Sequence, residues 1–345
     1  MALIASARER PFGADELFMW TTDPAGRFVS ADAVFARLTG YGREAMEGQT
    51  HAFVRHPAMP VALLPPQLGP MYVRYLAEDG ASFWALVLSV PLRGGFAGIG
   101  FKPAGAQLDA AQERLQAERE AELAGEPVGV PDFRAAFVTE VGARPAGRDA
   151  ELVAVARRLA RLDEAFAGAE RTRAFVEELA ESIRLFALNA ILAAHRLADS
   201  AAIGAVAGLL QTRSDAAVPD LLALGGQIER VAAAHADARF AVAAAQLLAG
   251  YPDAGEALAV AREAVARDVA VLDAALEELT AAVATVDSHF KTIRFLELQG
   301  RIEAARAADT GHVLTLFEEI GRQVRSAGAN LTNWHANLTG FQSGR

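Results

Sequence analysis

The chain has 345 residues, a formal net charge of −10 and no cysteine. Its length allows two domains with separate cores. The absence of cysteine excludes disulfides, thiolate metal sites and cysteine nucleophiles, and it fits a cytoplasmic location. The acidic balance argues against nucleic acid or an anionic membrane surface as the partner. The N-terminus lacks the order of a signal peptide and no apolar run is long enough for membrane insertion, so we expect a soluble protein.

Residues 14–104 carry nearly all the strand and turn signals, and residues 1–13 form an N-terminal segment before them. Residues 17–22 and 27–30 flank a turn built on Asp23-Pro-Ala-Gly26, which predicts a β-hairpin. Short helical pieces and a proline-rich segment follow. Further strands are predicted at residues 71–75, 83–90 and 96–101. This mixture predicts an α+β domain over residues 14–104.

The composition changes after this domain. Residues 105–147 predict a helical connector and a looser link punctuated by proline, and helix-forming residues dominate from residue 148 onward. Breaks in the helical region are predicted near Asp199 and at residues 214–219, 250–255 and 309–311. The sequence therefore predicts an all-α region over residues 148–345 made of two tandem hairpins, at about 148–249 and 255–340.

Two stretches of the helical region are versions of one another. Residues 183–200 and 293–310 align without a gap, and Ile, Arg, Leu, Ala, Arg, Ala and Asp recur in register. An apolar seam with alternating steps of three and four residues accompanies each copy. The seam positions are Val176, Leu179, Ile183, Phe186, Ala190, Ala193 and Leu197 in the first copy, and Leu272, Ala275, Leu279, Ala282, Val286, His289, Ile293, Leu296 and Gly300 in the second. The two hairpins predict one long, antiparallel, coiled-coil-like four-helix bundle within a single chain.

Three segments of the N-terminal domain, residues 21–29, 35–41 and 54–60, resemble the PAS sensor domain of Aer-type aerotaxis receptors. In that family the pocket holds FAD and the Arg-His segment lies near it. The resemblance therefore implies FAD as the cofactor, with Arg55 and His56 as binding residues. A guanidinium suits a phosphate or a carboxylate. The alternative is that both are solvated loop residues, or that His56 caps local backbone.

Two tryptophans on predicted strands are further candidates for the cofactor site. Trp20 and Trp84 would line its cavity, and the alternative is that these strand aromatics form plain core. One position departs from the family pattern, because Ala58 stands where the family carries an acidic residue after the His-Pro pair.

Residues 188–196 and 298–306 resemble the approach to the signalling hairpin tip of methyl-accepting chemotaxis proteins. In that family the tip binds the kinase CheA and the adaptor CheW, and two chains pair their hairpins into a four-helix bundle. The resemblance implies four partner-binding residues, which are Asn189, Arg196, Glu303 and Arg306. Because this chain carries both hairpins, the repeat predicts a fused pseudo-dimer and leaves a homo-oligomer open.

A second interpretation concerns His195. The run from Ala194 to Ala205 is similar to the segment that carries the phosphorylated histidine of phosphotransfer domains, although Asp199 would repel a phosphate there. We find no nucleophile–base pair, glycine-rich phosphate loop or metal-ligand spacing, so we expect neither an enzyme nor a metal protein.

The sequence thus predicts a non-enzymatic signal-transduction protein of the chemotaxis type. The PAS domain would sense a small ligand or a redox cofactor, and the helical bundle would relay the change to a protein partner at its tip. Two alternatives remain open at this point. One is a histidine phosphotransfer module that uses His195, and the other is a scaffold with an empty PAS pocket.

Overall fold

The computed structural model describes residues 6, 8–65, 68–104, 106–144, 149–166, 169–195, 201–306 and 310–342. The chain divides into two compact units. The first, called the sheet unit below, comprises Met1–Ala156 and Ala236–Arg267. The second, called the helical unit, comprises Arg157–His235 and Asp268–Arg345. Each unit is therefore built from two separate stretches of the chain.

The described part of the sheet unit contains one antiparallel sheet. Its strands are β1 (Leu17–Thr22), β2 (Phe28–Ala31), β3 (Gly69–Leu76), β4 (Ser82–Leu92) and β5 (Gly95–Phe101), in the order β2-β1-β5-β4-β3. Between β2 and β3 lie the short helices α1 (Ala33–Thr39) and α2 (Arg43–Met46) and the 3₁₀ turns His51–Val54 and Val61–Leu63. The predicted α+β character of this region is confirmed.

One face of the sheet is packed with aromatic rings. Trp20 of β1 pairs with Gly98 of β5, and Phe18 pairs with Gly100. A Cβ at Gly98 would lie 2.0 Å from the Trp20 ring, and a Cβ at Gly100 would lie 2.2 Å from the Phe18 ring. The two glycines therefore leave the space that the rings fill. The buried rings that meet there, called the aromatic core below, belong to Phe18, Trp20, Phe28, Phe35, Tyr75 and Phe83.

The opposite face of the sheet is covered by the chain that follows it. Helices α3 (Ala106–Ala124) and α4 (Arg134–Gly142) lie in the region for which the sequence predicts a helical connector. The Phe137 ring of α4 lies 6.3 Å from the Phe101 ring of β5 and 5.6 Å from that of Phe240, between ring centroids. Glu140 also accepts a hydrogen bond from the Ala104 backbone at 2.9 Å. Helix α4 is thus packed on the sheet.

Long helices make up the rest of the described chain. They are α5 (Ala150–Phe166), α6 (Ala169–Ala194), α7 (Ala201–Ala249), α8 (Gly255–Arg306) and α9 (Gly311–Gln342). The predicted helical character of this region is confirmed. Helices α7 and α8 are 49 and 52 residues long, and each belongs in part to both units. The turn that joins them, residues 250–254, belongs to the sheet unit.

The predicted break at residues 214–219 is wrong, because α7 continues through it with Pro219 inside the helix. A proline in a helix interior costs about 3 kcal/mol. Here its ring is exposed, while Ser214 and Ala217 on the other side of the helix are buried. Leu210 and Leu221 are also fully buried on either side of the proline. Burial of apolar side chains along α7 therefore offsets the local cost of the missing hydrogen bond.

The predicted seam of α8 is half correct. Every other position of the seam, starting from Leu272, is buried, namely Leu272, Leu279, Val286, Ile293 and Gly300. Most of the positions between them, Ala275, Ala282 and His289, are only half-buried. The stripe instead uses the next residue each time, which is Leu276, Val283 or Phe290. These larger apolar side chains bury more surface than alanine or histidine would, so packing selects them.

The seam of the first copy is described only in part. Leu179, Ala190 and Ala193 are buried, and Phe186 is half-buried. The side chains of Val176 and Ile183, and the whole of Leu197, lie outside the described residues.

Candidate functional site

The two candidate tryptophans lie on opposite faces of the sheet. Trp20 pairs with Gly98, which in turn pairs with Ser89 of β4, so these three positions share one face. Side chains alternate along a strand, and Trp84 is an odd number of residues from Ser89, so it points the other way. Trp20 is fully buried in the aromatic core, whereas Trp84 is partly exposed beneath the Arg74 guanidinium, which lies 5.9 Å from its ring centroid.

Arg55 and His56 hold their own loop at the edge of the sheet. The Arg55 Nη1 donates to the carbonyl oxygens of Pro57 and Met59, at 3.3 and 2.8 Å. The His56 Nδ1 accepts from the Ala58 backbone N–H at 3.2 Å. The backbone N–H of His56 donates to the carbonyl oxygen of Arg74 on the edge strand β3, at 3.2 Å. The capping interpretation of His56 therefore describes its geometry.

The pKa of His56 falls to about 4, mainly because burial disfavours the charged imidazolium and secondarily because the Arg74 and Arg55 guanidiniums repel it. Through Arg74, the structure brings Arg55, His56 and Trp84 to the β3 edge, while Trp20 lies inside the aromatic core. The structure therefore brings three of the four candidate residues together and separates Trp20 from them by the thickness of the sheet.

Sequence reasoning missed a buried histidine in the sheet unit. His51 is 1% exposed, and its ring lies 4.3 Å from Trp20 and 4.4 Å from Phe28, between ring centroids. Neither ring nitrogen has a hydrogen-bond partner among the described residues. Burial lowers the pKa of His51 to about 3, so the ring is neutral at pH 7. No spacing or turn signal in the sequence marks it as buried.

Sequence reasoning also missed the contact between the sheet unit's first helix and the turn of α7 and α8. The Oδ1 of Asp32 accepts from the Phe35 backbone N–H at 2.7 Å, which caps α1. Its Oδ2 accepts from the Met19 N–H of β1 and from the Tyr251 hydroxyl, both at 2.8 Å. One carboxylate therefore ties together α1, β1 and the α7–α8 turn.

A second hydrogen bond ties the start of α8, just after the same turn, to the sheet. Glu256, in the first turn of α8, accepts from the Arg93 backbone N–H at 2.8 Å, and Arg93 lies between β4 and β5. Asp32, Arg93, Tyr251 and Glu256 are called the junction below. Nothing in the sequence pairs Asp32 with Tyr251, which lies 219 residues further along the chain.

The candidate partner-binding residues lie on two helices of the helical unit. Asn189 is exposed on α6. Glu303 and Arg306 lie in the last turns of α8 and form an ion pair at 3.0 Å. Arg196 lies outside the described residues. His195, the candidate of the phosphotransfer interpretation, is exposed and directly follows the last residue of α6.

Two exposed apolar stripes lie on these same helices. The first comprises Leu185, Leu188 and Leu192 of α6, and the second comprises Phe295, Leu298 and Ile302 of α8. Their side chains are between 43% and 59% exposed. In the alignment of the repeat, each member of one stripe occupies the position of a member of the other. The repeat thus preserves an apolar surface that the fold does not bury, and the two sets are called the apolar stripes below.

Among the residues that the structure describes, no group of His, Cys, Asp and Glu side chains is arranged to hold a metal ion. None of the described helices is long and apolar enough to cross a membrane. No protein-family model matches the chain, and a search of the curated proteins finds no match.

Proposed function

We propose that this chain is a sensor and relay protein, in which a PAS-like domain responds to a small ligand or a redox change. The response passes through the helical region to a protein partner. The observation that carries the proposal is the junction, because the Asp32 carboxylate binds α1, β1 and Tyr251 at once. A shift of α1 or β1 therefore changes the position of the α7–α8 turn or breaks its hydrogen bond.

The helices that leave this turn give the relay a physical route. Helices α7 and α8 both begin or end at the turn and continue without interruption into the helical unit. A continuous helix transmits a displacement of its end along its axis, and packed helices can switch between two arrangements. The proposed bundle of α6, α7, α8 and α9 would be the element that switches.

The apolar stripes support a protein partner at the far ends of the hairpins. Contiguous exposed apolar side chains mark interaction surfaces more often than scattered ones do. Both stripes lie within about the last three turns of α6 and α8, and they overlap the segments that resemble the chemotaxis hairpin tip. A kinase or adaptor of the CheA and CheW kind is the partner that this resemblance suggests.

Hydrogen exchange measured by mass spectrometry tests the relay in the full-length protein. Tyr251→Phe removes one hydroxyl that donates to Asp32 and leaves the ring in place. We expect faster exchange in the α7–α8 turn and also a changed exchange rate in the last turns of α8 and the first turns of α9. Tyr41→Phe is the matched control, since its ring packs on Phe53 at 4.5 Å in the same unit.

The relay is refuted if the exchange rates of Tyr251→Phe change only in the turn. It is also refuted if Tyr41→Phe alters the helix ends to the same extent, because the effect would then follow from general loosening of the sheet unit.

A further inference from the structure

A groove between α8 and α9 surrounds part of the second apolar stripe. It has a volume of about 440 Å³, and its apolar lining is Phe295 and Leu298. These two residues are 59% and 51% exposed, so more than half of the surface of each is in contact with water. Covering them with an apolar partner side chain would be favourable at about 25 cal/mol per Å² of surface buried.

The rest of the lining is mostly cationic. It consists of Lys291, Arg294, Arg301 and Arg325, together with one carboxylate, that of Glu297. Arg294 has no ion-pair partner among the described residues, and Lys291 and Arg301 also face Asp287 and Glu318, at 2.7 and 3.6 Å. This local positive surplus contrasts with a net charge of −10 for the whole chain.

The buried carboxylate fixes two of the cations at the groove. Glu297 is 3% exposed, and its oxygens lie 3.5 Å from Arg301 Nη1 and 3.7 Å from Arg325 Nη1. Gly321 of α9 leaves room for it, because a Cβ there would lie 2.5 Å from the Glu297 Cδ. Arg301 and Arg325 share Glu297, and Arg294 beside them has no ion-pair partner among the described residues, so the lining can bind a further anion.

The first copy of the repeat lacks this charge. The positions of Lys291 and Arg301 correspond to Glu181 and Ile191 in α6, while Arg294 corresponds to Arg184. Arg184 also faces Asp215 at 3.9 Å. The two copies therefore share the apolar stripe and differ in the charge around it, and only the second surrounds its stripe with a cationic surplus.

We propose that the groove between α8 and α9 docks an acidic, amphipathic helix of the protein partner. The apolar side of that helix covers Phe295 and Leu298, and its carboxylates pair with Arg294, Arg301 and Arg325. This rests on the proposed function, since it names the chemistry of the partner that the relay would act on. Carboxylate pairing sets the selectivity of the groove, and apolar burial supplies much of the affinity.

Fluorescence anisotropy with the full-length chain and labelled peptides of about 18 residues, or five helical turns, tests the docking. The first probe carries a leucine stripe flanked by glutamates. The second replaces the glutamates by lysines, and the third replaces the leucines by serines. We expect the first probe to bind, with an affinity that falls as salt is raised, and the other two to bind at least about tenfold more weakly.

Matched variants at the two copies of the repeat locate the binding. Arg294→Glu and Phe295→Ser should each weaken the first probe by about tenfold or more. Arg184→Glu and Leu185→Ser, at the same repeat positions in α6, should change it by less than about twofold. All four positions are exposed, and thermal unfolding followed by circular dichroism verifies that each variant folds.

Three outcomes would overturn the docking. They are equal binding of the lysine-flanked probe, equal loss in the α6 and α8 variants, or binding of phosphatidylserine vesicles where the acidic probe does not bind. None of them bears on the exchange experiment with Tyr251→Phe, so failure of the docking and failure of the relay remain distinguishable.

Discussion

His51 makes the stability of the sheet unit depend on pH through a single buried ring. Its pKa in the folded protein is about 3 because of burial, while an unfolded histidine has a pKa of about 6.5. Between these values the unfolded chain binds a proton that the folded protein does not. The contribution of His51 to the free energy of unfolding is therefore fully present above about pH 6.5 and is lost as the pH drops towards 3. The slope of this loss approaches the value expected for one proton taken up on unfolding.

We predict that His51→Leu removes this share of the acid sensitivity. Neither ring nitrogen has a partner among the described residues, so the substitution breaks no described hydrogen bond and costs little at pH 7. Urea unfolding at pH 7 and pH 5 measures the effect: the difference between the two pH values should be smaller in the variant. His56, whose pKa is also lowered, to about 4, leaves a residual dependence of the same sign.

His312→Gln is the control for the pH experiment, since His312 is exposed on α9. It should retain the pH dependence of the wild-type protein. An unchanged pH dependence in His51→Leu would mean that the imidazole is protonated inside the folded protein, which contradicts its burial without a partner.

At the scale of the element, Gly321 of α9 leaves open the space that the Glu297 side chain of α8 occupies. A Cβ at position 321 would lie 2.5 Å from the Glu297 Cδ, well inside van der Waals contact. The atoms in the way are the end of the Glu297 side chain, so the carboxylate must move away from Arg301 and Arg325. We predict that Gly321→Ala lowers the free energy of unfolding by about 1 kcal/mol, despite the better helix propensity of alanine. Urea unfolding followed by circular dichroism measures this loss.

A double variant identifies the cause of that loss. Glu297→Ala with Gly321→Ala should be more stable than the sum of the two single effects predicts, because the clash disappears when the carboxylate is removed. Gly328→Ala is the matched control on the same helix, since its Cβ would meet Phe290 at an ordinary 3.7 Å. Strict additivity of the two substitutions would contradict the proposed clash.

The helices and strands could be predicted where local chemistry decides them. The turn at Asp23-Pro-Ala-Gly26 and the flanking apolar residues predict β1 with the bounds that the structure has, Leu17–Thr22. Pro219 misled the prediction because its local cost is outweighed by burial along α7 that no short window reveals. Three of the seam positions predicted for α8 lie one residue before the buried ones. A step of three residues and a step of four residues both keep a position on the same face of a helix, so periodicity alone does not choose between the two positions. Side-chain size makes that choice.

At the scale of the whole molecule, the sequence could not predict which elements meet. Asp32 and Tyr251 are 219 residues apart, and each alone has an ordinary local role, as a helix cap and as a turn residue. Their contact depends on how the α7–α8 turn packs in the sheet unit, which is a tertiary property. The repeat that contains the apolar stripes is visible in the sequence, but the repeat alone does not show that these residues are exposed in both copies.

If α8 carries the signal, interrupting it near the point where it leaves the sheet unit should separate the junction from the far end of the helix. Ala266 is exposed there, and a proline at that position removes a backbone hydrogen bond at a cost of about 3 kcal/mol. We predict that Ala266→Pro abolishes the effect of Tyr251→Phe on hydrogen exchange near Arg306. Asn333→Pro, exposed on α9, imposes a comparable local cost outside α7 and α8 and should preserve that effect. A persisting effect in Ala266→Pro would assign the relay to α7 alone, because that helix is the remaining continuous route from the turn.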